Sequence, residues 1–414
     1  MITARAVVYV PKNARFKPLL QNQKINKFMS TSPRQFLEGS RAIALTIKNI
    51  NPDVISAYPI TPQTHIVEDL AKFQADGQAN YEYLRAESEF AAASIVLGAS
   101  AAGSRVYSAT SSQGLLLMTE VIFSIAGMRL PIVMTCANRT ISSPINIWND
   151  HQDIMALANP GWIMLFAGDN QEAVYQHVLA YKLAEKLKLP VMVNVDGFVL
   201  THSYEPVSIP SASSIKKYLG TYQPDLNNHL DVNHPMTMGP FVSPNDYLEI
   251  RQELHEDLIN SLSVINQEYK NCHRALGVKN SPSEDGLIEY YGSKSAKNIL
   301  ITLGSVAGTI KDVIDQNPKA ALLRIKCFNP FPYQEVTKIL KTKTNIAVVE
   351  KASGLGALGP LMAKIVPTVN DRQIIKNYVV GLGGRDVKKQ MIEKIINDIM
   401  KTKKTDWQAK FISK

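Results

Sequence analysis

The sequence is poor in cysteine and contains no long apolar run. Its three cysteines, Cys136, Cys272 and Cys327, lie far apart, without the paired spacing of a zinc site or a disulfide framework. They are also too few for an iron–sulfur cluster, which usually takes four thiolates. No apolar stretch approaches the roughly 18 residues that cross a bilayer, and the N-terminus lacks a short apolar core before a cleavage site. We therefore expect a cytoplasmic protein without a membrane span.

Basic residues are concentrated at the two ends of the chain. Residues 1–34 carry seven basic side chains and no acidic one, and residues 388–414 carry eight lysines against three acidic residues. Because the whole chain has a net charge of +9, the body between these ends is slightly negative. No basic stripe with interleaved aromatic residues follows the body, so we expect no nucleic-acid partner. The ends are either solvated or lie on an acidic neighbour in an oligomer.

Strands and helices alternate after a basic N-terminal extension, which we assign to residues 1–32. This extension is either an arm or sequence upstream of a translation start at Met29. Apolar spacing predicts helices at residues 36–47, 66–73, 88–102 and 115–128 and strands at residues 54–58, 81–84, 105–109 and 131–136. This alternation predicts a doubly wound, mostly parallel α/β sheet.

A second α/β unit follows an irregular, proline-rich segment. Residues 205–285 lose the alternation and contain one predicted helix, from about Pro244 to Glu268. Strands are predicted again at residues 299–303, 321–325 and 346–349, and an amphipathic helix follows near the C-terminus. We therefore expect a first domain at residues 33–255, a linker at 256–296, a second domain at 297–387 and a basic helix or tail at 388–414.

The first candidate site loop is the segment Tyr58–Pro62. In an open α/β sheet, ligands bind beyond the carboxyl ends of the strands, and this segment directly follows a predicted strand. Pro59 and Pro62 fix the backbone around the hydroxyl of Thr61, which can then be aimed at an anionic substrate. The same residues are equally typical of a stiff strand-to-helix turn in which Thr61 is the helix N-cap.

The second candidate is Glu89, at the start of the helix predicted for residues 88–102. The helix dipole adequately explains the neighbouring Glu87. The helix after Glu89 is rich in small residues on every face, so we expect it to be packed closely on all sides, with its first turn partly buried. A carboxylate in such a position needs a polar partner or a bound proton.

Other polar residues at strand ends have simpler interpretations. Arg139 follows a predicted buried strand, where its guanidinium suits the carboxylate of a substrate or, more commonly, of a structural ion pair. We interpret His151 as a satisfied surface or interface histidine, because the chain lacks the nucleophile elbow and the metal motifs that would use it. We interpret residues 381–384 as a tight turn. The residues alone therefore indicate a multidomain α/β protein with an acid/base glutamate.

Five segments, taken in order, resemble one known family. They are YPITP at residues 58–62, ESE at 87–89, SSQGLLLM at 111–118, NIWNDHQD at 146–153 and GLGGRD at 381–386. Over about residues 33–390, the chain resembles the alpha subunit of 2-oxoacid:ferredoxin oxidoreductases, most of all the pyruvate type (pyruvate synthase). The extension before Met29 departs from the family pattern.

The resemblance implies a fold, an activity and a set of partners. The fold would be a thiamine-diphosphate pyrimidine-binding, doubly wound α/β domain followed by a transketolase-C-terminal-like α/β domain. The activity would be the CoA-dependent oxidative decarboxylation of pyruvate to acetyl-CoA and CO2, with electrons passed to ferredoxin or flavodoxin. The implied partners are beta, gamma and delta subunits. The beta subunit would share the thiamine diphosphate, Mg²⁺ and [4Fe–4S] clusters would lie in the partner subunits, and this chain would hold no metal.

The resemblance also implies roles for four residues. Glu89 would be the catalytic residue that hydrogen-bonds the pyrimidine ring nitrogen of the cofactor, and Pro59 would lie against the pyrimidine. Thr61 would contact the substrate, and Arg139 would bind the 2-oxoacid carboxylate. Two alternatives are a branched substrate such as 2-oxoisovalerate, since one methylene is worth only about 1–3 kcal/mol, and a scaffold subunit whose site has decayed.

Overall fold

A computed structural model describes residues 33–278 and 285–413. The predicted N-terminal extension, residues 1–32, lies outside the described residues. None of the described helices is both long enough and apolar enough to span a bilayer.

The described strands are, in chain order, β1 (Gln35–Glu38), β2 (Val54–Ala57), β3 (Glu82–Arg85), β4 (Val106–Thr110), β5 (Val133–Asn138), β6 (Ile163–Phe166), β7 (Val191–Asp196), β8 (Tyr204–Val207), β9 (Ile288–Gly292), β10 (Asn298–Thr302), β11 (Ala320–Ile325), β12 (Cys327–Asn329), β13 (Asn345–Glu350), β14 (Ile374–Val379) and β15 (Asp406–Phe411).

The described α-helices are α1 (Gly39–Ile50), α2 (Thr64–Ala75), α3 (Glu89–Ala101), α4 (Ser112–Leu117), α5 (Thr119–Gly127), α6 (Gln152–Ala156), α7 (Asn170–Leu187), α8 (Ala212–Leu219), α9 (Pro244–Ala275), α10 (Val306–Ile314), α11 (Tyr333–Leu340), α12 (Pro360–Ile365) and α13 (Lys389–Lys401). Short 3₁₀ turns lie at Val366–Thr368 and Leu382–Gly384.

The first sheet has the strand order β12-β6-β7-β5-β4-β2-β3. Its neighbouring strands are parallel, except that β12 runs antiparallel to β6. Helices α3 and α7 pack on the central strands, so β5 and β7 are buried at every residue. Strands that are covered in this way read as nearly continuous apolar runs, which is why the local pattern predicted them without strict alternation.

The second sheet has the strand order β15-β14-β13-β10-β11-β9, with only β9 antiparallel to its neighbour. Helix α13 packs on α10 and on β13, and its isoleucines at helical spacing, Ile392, Ile395 and Ile399, are fully buried. Strands β1 and β8 form a separate antiparallel ribbon. The two mostly parallel sheets confirm the predicted α/β fold with two units.

Two elements differ from the predictions for a physical reason. The helix predicted for residues 115–128 is divided at Met118 into α4 and α5. Beside the break, Thr119 Oγ1 donates to the carbonyl oxygen of Leu116 at 2.6 Å, a side-chain bond that competes with the helical ladder. The predicted C-terminal helix or tail also contains β15, which extends the second sheet beside β14. That pairing is non-local, so the local pattern does not reveal it.

Helix α3 is not packed on all sides within this chain, so that expectation is wrong for the single subunit. Phe90 in its first turn is 42% exposed, and Gly98 is also exposed. Ala92, Ala93 and Val96 face the core and are fully buried. The small residues on the other side therefore leave a shallow face that a neighbouring chain can approach closely.

The domain limits stay a prediction, and the structure shows which elements lie across them. Helix α9 runs through residue 255 and ends beyond the predicted Glu268. Lys186 Nζ of α7 donates to Glu268 Oε1 at 2.8 Å, which ties this part of α9 to the first unit. Strand β12 belongs by sequence to the second unit and pairs with the first sheet. The chain therefore crosses between the units more than once.

Candidate active site

Four loops lie side by side at one edge of the first sheet. Strands β5, β4, β2 and β3 are adjacent and parallel, so the segments that follow them emerge at the same edge. These segments carry, respectively, Arg139, the Thr110–Gly114 turn, the Pro59–Thr61 loop and Glu89. The sheet order therefore brings the predicted site residues to one place, where open α/β sheets bind ligands.

Glu89 is the first residue of α3 and is buried, with 8% of its surface exposed. The helix begins there because Ser88 Oγ accepts a hydrogen bond from the Ala91 N–H at 3.1 Å. Within residues 33–278 and 285–413, no hydrogen bond to the Glu89 carboxylate is formed. The expected partial burial of the first turn is confirmed, because Glu89 is buried and Phe90 is not, and the carboxylate has no partner among these residues.

The turn after β4 leaves space for the Glu89 carboxylate. A Cβ added to Gly114 would lie 2.6 Å from Glu89 Oε1 and 2.6 Å from Thr110 Oγ1, so only glycine fits there. Thr110 Oγ1 is itself buried without a hydrogen-bond partner in the described chain. Two oxygens, one from a carboxylate and one from a hydroxyl, therefore line a small polar recess.

The Pro59–Thr61 loop is held to the neighbouring strand by Gln63. Gln63 Nε2 donates to the carbonyl oxygens of Tyr58, at 3.0 Å, and Ala109, at 2.8 Å. The segment does form the turn between β2 and α2, but the N-cap position of α2 is occupied by Gln63, so the assignment of Thr61 as N-cap is wrong. Pro59 and Thr61 are both exposed at the sheet edge, where they can contact a ligand or a neighbouring subunit.

The structure brings Arg139 and Thr61 together. Arg139 Nη1 donates to the Thr61 carbonyl oxygen at 2.8 Å, and Arg139 Nε donates to the Asn146 carbonyl oxygen at 3.2 Å. Burial lowers the pKa of Arg139 from its ordinary value, with Asp153 opposing the change. No carboxylate lies in salt-bridge contact with this guanidinium in the described parts of the chain. Nη2 therefore stays available for an anionic ligand, which favours the substrate interpretation over the structural ion pair.

Asp153 positions two of these loops, and sequence analysis did not single it out. It is fully buried, and its Oδ2 accepts hydrogen bonds from the N–H groups of Ser112, at 3.0 Å, and Arg139, at 2.9 Å. Its Oδ1 accepts from the Ile154 N–H and from Asn138 Nδ2. Burial raises the pKa of Asp153, and these hydrogen bonds oppose the rise. No local pattern distinguishes such a residue, although it lies inside one of the five motif segments.

His151 is satisfied, as predicted, but it is buried and does not lie at the surface. It is 1% exposed, and its Nε2 lies 2.6 Å from Asp196 Oδ1, at the end of β7. Asp196 also accepts from Lys351 Nζ at 3.0 Å and from the Ser305 N–H at 3.2 Å. Lys351 and Ser305 belong to the second unit, so this cluster joins the two sheets.

Two motif segments that are distant in sequence are in contact. The predicted tight turn at residues 381–384 is confirmed, with Gly381 and Gly383 at φ values of 67° and 65°. The Gly383 N–H donates to Asp150 Oδ2 at 3.3 Å, and the Gly384 N–H donates to the Asn149 carbonyl oxygen at 2.7 Å. The turn therefore supports the segment that carries Asn146, the partner of Arg139 Nε.

Comparison with protein-family models gives two matches. Residues 46–271 match the model described as pyruvate flavodoxin/ferredoxin oxidoreductase, thiamine diphosphate-binding. Residues 296–392 match the pyruvate:ferredoxin oxidoreductase core domain II. The first matched region contains strands β2 to β8, and the second contains strands β10 to β14.

Several known proteins are similar over most of the chain. The pyruvate synthase subunit PorA of Methanocaldococcus jannaschii is 46% identical over 88% of this chain and 94% of its own length. The ketoisovalerate oxidoreductase subunit VorA of Pyrococcus abyssi is 34% identical over 89% of this chain and 94% of its own length. A solved structure of 2-oxoglutarate:ferredoxin oxidoreductase from Magnetococcus marinus shares the fold, with a TM-score of 0.71 and 22% identity, over 89% of this chain and 66% of that chain.

The fold and the family matches define a subunit of a 2-oxoacid oxidoreductase with a thiamine-diphosphate-binding domain. The chain belongs to the pyruvate flavodoxin/ferredoxin oxidoreductase family, which confirms the resemblance found in the sequence.

Proposed function

We propose that the chain is the alpha subunit of a pyruvate:ferredoxin oxidoreductase, which is active only with its partner subunits. The reaction is the oxidation of pyruvate and CoA to acetyl-CoA and CO2, with the electrons passed to ferredoxin or flavodoxin. The observation that carries the proposal is the Glu89 carboxylate, buried at the strand edge and without a hydrogen bond from the described chain. Its carboxylate oxygens are therefore available to accept a hydrogen bond from a ligand at this edge.

The surroundings of Glu89 fit the pyrimidine ring of thiamine diphosphate. Thr110 Oγ1 is a buried oxygen without a partner in the described chain, and Gly114 has no Cβ to crowd it or Glu89 Oε1. A ring that presents polar nitrogens would satisfy these oxygens. The apolar side chains of Leu84, Phe90 and Leu117, on the adjoining elements, are 44%, 42% and 52% exposed. A beta subunit that shares the cofactor would cover them.

Each predicted site residue then has a task at its own atoms. The bound thiamine diphosphate supplies the carbanion chemistry that breaks the bond between the carboxyl and carbonyl carbons of a 2-oxoacid. Glu89 would hold a proton in a hydrogen bond to the pyrimidine nitrogen, and Pro59 would lie against that ring. Arg139 would bind the substrate carboxylate through Nη2, which has no hydrogen-bond partner among the described residues. Thr61 would contact the substrate beside it.

The relatives favour pyruvate over a branched 2-oxoacid. In one organism, Pyrococcus abyssi, the pyruvate synthase subunit PorA is 39% identical to this chain and the ketoisovalerate oxidoreductase subunit VorA is 34% identical. A scaffold subunit with a decayed site is disfavoured because the Arg139–Thr61 contact and the Glu89 recess are both intact.

The proposal assigns the remaining cofactors to partner chains. Beta, gamma and delta subunits would complete the enzyme, with Mg²⁺ and [4Fe–4S] clusters held there. The three cysteines of this chain are buried free thiols, dispersed through the structure, which agrees with that division. Free thiols are also typical of the reducing cytoplasm, where we expect the complex to work.

Glu89→Gln in the assembled complex tests the proposal. The amide keeps the side-chain size but cannot act as a general acid or base. We therefore expect pyruvate-dependent viologen reduction to fall about 100-fold or more. Glu87→Gln is the matched control, because Glu87 is exposed two residues earlier and should keep full activity.

Subunit composition and thiamine content of the purified complexes should stay unchanged in both variants. Full activity of the Glu89→Gln complex would contradict the proposal. Faster turnover of 2-oxoisovalerate than of pyruvate by the wild-type complex would instead favour the branched-chain alternative.

A further inference from the structure

Three potential metal ligands that the proposed reaction does not use meet beside the β1–β8 ribbon. Glu38 ends β1, His65 lies in the first turn of α2, and His202 lies between β7 and β8. One potential ligand atom of each residue lies within 4.8 Å of those of the other two. The three residues are far apart in sequence and form no spaced motif, so only the fold brings them together.

We propose that Glu38, His65 and His202 bind one divalent metal ion of the zinc type. Imidazole nitrogens and carboxylate oxygens bind Zn²⁺ at about 2.0–2.2 Å, which sets tetrahedral ligand atoms about 3.4 Å apart. Glu38 Oε1 and His65 Nδ1 lie 2.7 Å apart, and the ring centroids of His65 and His202 are separated by 4.6 Å. Small side-chain rotations therefore convert the present hydrogen-bonded arrangement into a coordinating one.

The His202 ring is oriented by a buried neighbour. Thr201 is fully buried, its Oγ1 lies 2.7 Å from His202 Nδ1, and it accepts a hydrogen bond from the Phe198 N–H at 2.8 Å. Metal-binding histidines generally donate their second ring N–H to an oxygen in this way, which leaves the other nitrogen for the ion.

The remaining coordination position has a protein candidate. Glu68 follows His65 by one helical turn, and both residues line the same cavity of about 290 Å³. Glu68 or a water molecule would complete a tetrahedral site. Arg41 also lines this cavity, but it does not compete with a metal ion for Glu38 or Glu68, because its guanidinium is already paired with Asp69 at 2.5 Å.

A metal at this position would connect the ribbon to the candidate active site. The His202 ring packs on Phe198 at 4.6 Å, and Phe198 packs on Trp148 at 4.5 Å between ring centroids. Trp148 lies in the segment whose Asn146 carbonyl oxygen accepts from Arg139. Binding would therefore restrain β1, α2 and the loop after β7, and through this series of rings the support of Arg139.

Zinc titration of the metal-stripped, full-length chain against a chromophoric chelator tests the inference. We expect one Zn²⁺ per chain, and an affinity reduced about tenfold or more in His65→Ala and in Glu38→Gln, since each removes one ligand. His234→Ala is the matched control: His234 is exposed and faces a carboxylate, Asp231, at 3.1 Å, but it belongs to no three-ligand group of the described residues.

Thermal unfolding gives a second readout. Zinc should raise the Tm of the wild-type chain and of His234→Ala more than that of His65→Ala, because a ligand stabilises only the state that binds it. Equal zinc affinity of the wild type, His65→Ala and Glu38→Gln would overturn the proposal and leave only a histidine–glutamate hydrogen bond. Zinc binding that is lost in His234→Ala would overturn it as well. Neither readout depends on the proposed enzyme activity.

Discussion

At the scale of single residues, Asp153 controls how the site loops meet. Its buried carboxylate accepts four hydrogen bonds from N–H groups and one from the Cys136 thiol, and one of the N–H groups is the backbone of Arg139. The Arg139 side chain in turn contacts Thr61. A substrate carboxylate that binds Arg139 would thus depend on a second carboxylate that never contacts the substrate. We regard Asp153 as a positioning residue for this reason.

Asp153→Asn should weaken substrate binding more than turnover. The amide NH2 group would face backbone N–H donors, which leaves buried donors unpaired at a cost of about 1–3 kcal/mol and displaces Arg139. We expect a several-fold higher KM for pyruvate in the assembled complex, with a smaller change in kcat. Asp76→Asn is the control, because Asp76 is exposed just after α2 and supports none of the site loops described above. Equal KM values in the two variants would show that Asp153 has only a structural role.

At the scale of elements, a buried acid connects β13 to β14. This acid is Glu350, the last residue of β13. Glu350 accepts from the Leu361 N–H at 2.9 Å and from Asn377 Nδ2 at 2.6 Å. Burial raises the pKa of Glu350 from an ordinary 4.5 to about 7, although these hydrogen bonds oppose the rise. The folded chain therefore keeps a proton that the unfolded chain releases between these pH values. Stability from this group is largest at low pH and falls as the pH rises through that window.

Glu350→Gln should remove this pH dependence. Between about pH 4.5 and pH 7 the wild-type contribution falls by about 3 kcal/mol, so the variant should gain relative stability at high pH. Denaturant unfolding at the two ends of this range measures the difference. Glu393→Gln, on the exposed side of α13, is the control and should follow the wild type. A constant stability difference between Glu350→Gln and wild type at all pH values would refute the expectation.

Elements with local signals were predictable, and elements defined by distant partners were not. The alternation of apolar runs predicted β2 to β5 and the helices between them, and strand ends indicated Glu89, Thr61 and Arg139. Asp153 and Asp196 gave no signal because their partners are distant in sequence. β12 and β15 likewise depend on pairing with strands that the local sequence does not specify.

At the scale of the whole molecule, Asp196 connects the two sheets. Although burial alone would raise the pKa of Asp196, Lys351 and His151 hold it well below its ordinary value. Lys351 follows β13 of the second sheet and is itself buried. A Cβ on Gly304, at a φ of 61°, would lie 2.8 Å from Asp196 Oδ1, so the second unit approaches this carboxylate closely.

Asp196→Asn should loosen the two units from each other. It leaves Lys351 buried without its carboxylate, which costs about 3–5 kcal/mol. We expect a lower Tm and a calorimetric transition that separates into two steps. Asp196→Asn combined with Lys351→Met removes both charges and should recover part of the loss. A single unchanged transition in Asp196→Asn would show that the cluster does not hold the units together.

The position of β12 has a consequence for how the chain is made. β6 borders β7 on one side and acquires its other neighbour only from residues 327–329. During synthesis, the ribosome releases β6 and β7 long before that strand emerges. Until then, the backbone N–H and C=O groups on the free edge of β6 have no strand to pair with. Such an edge can bind chaperones or pair with the wrong chain.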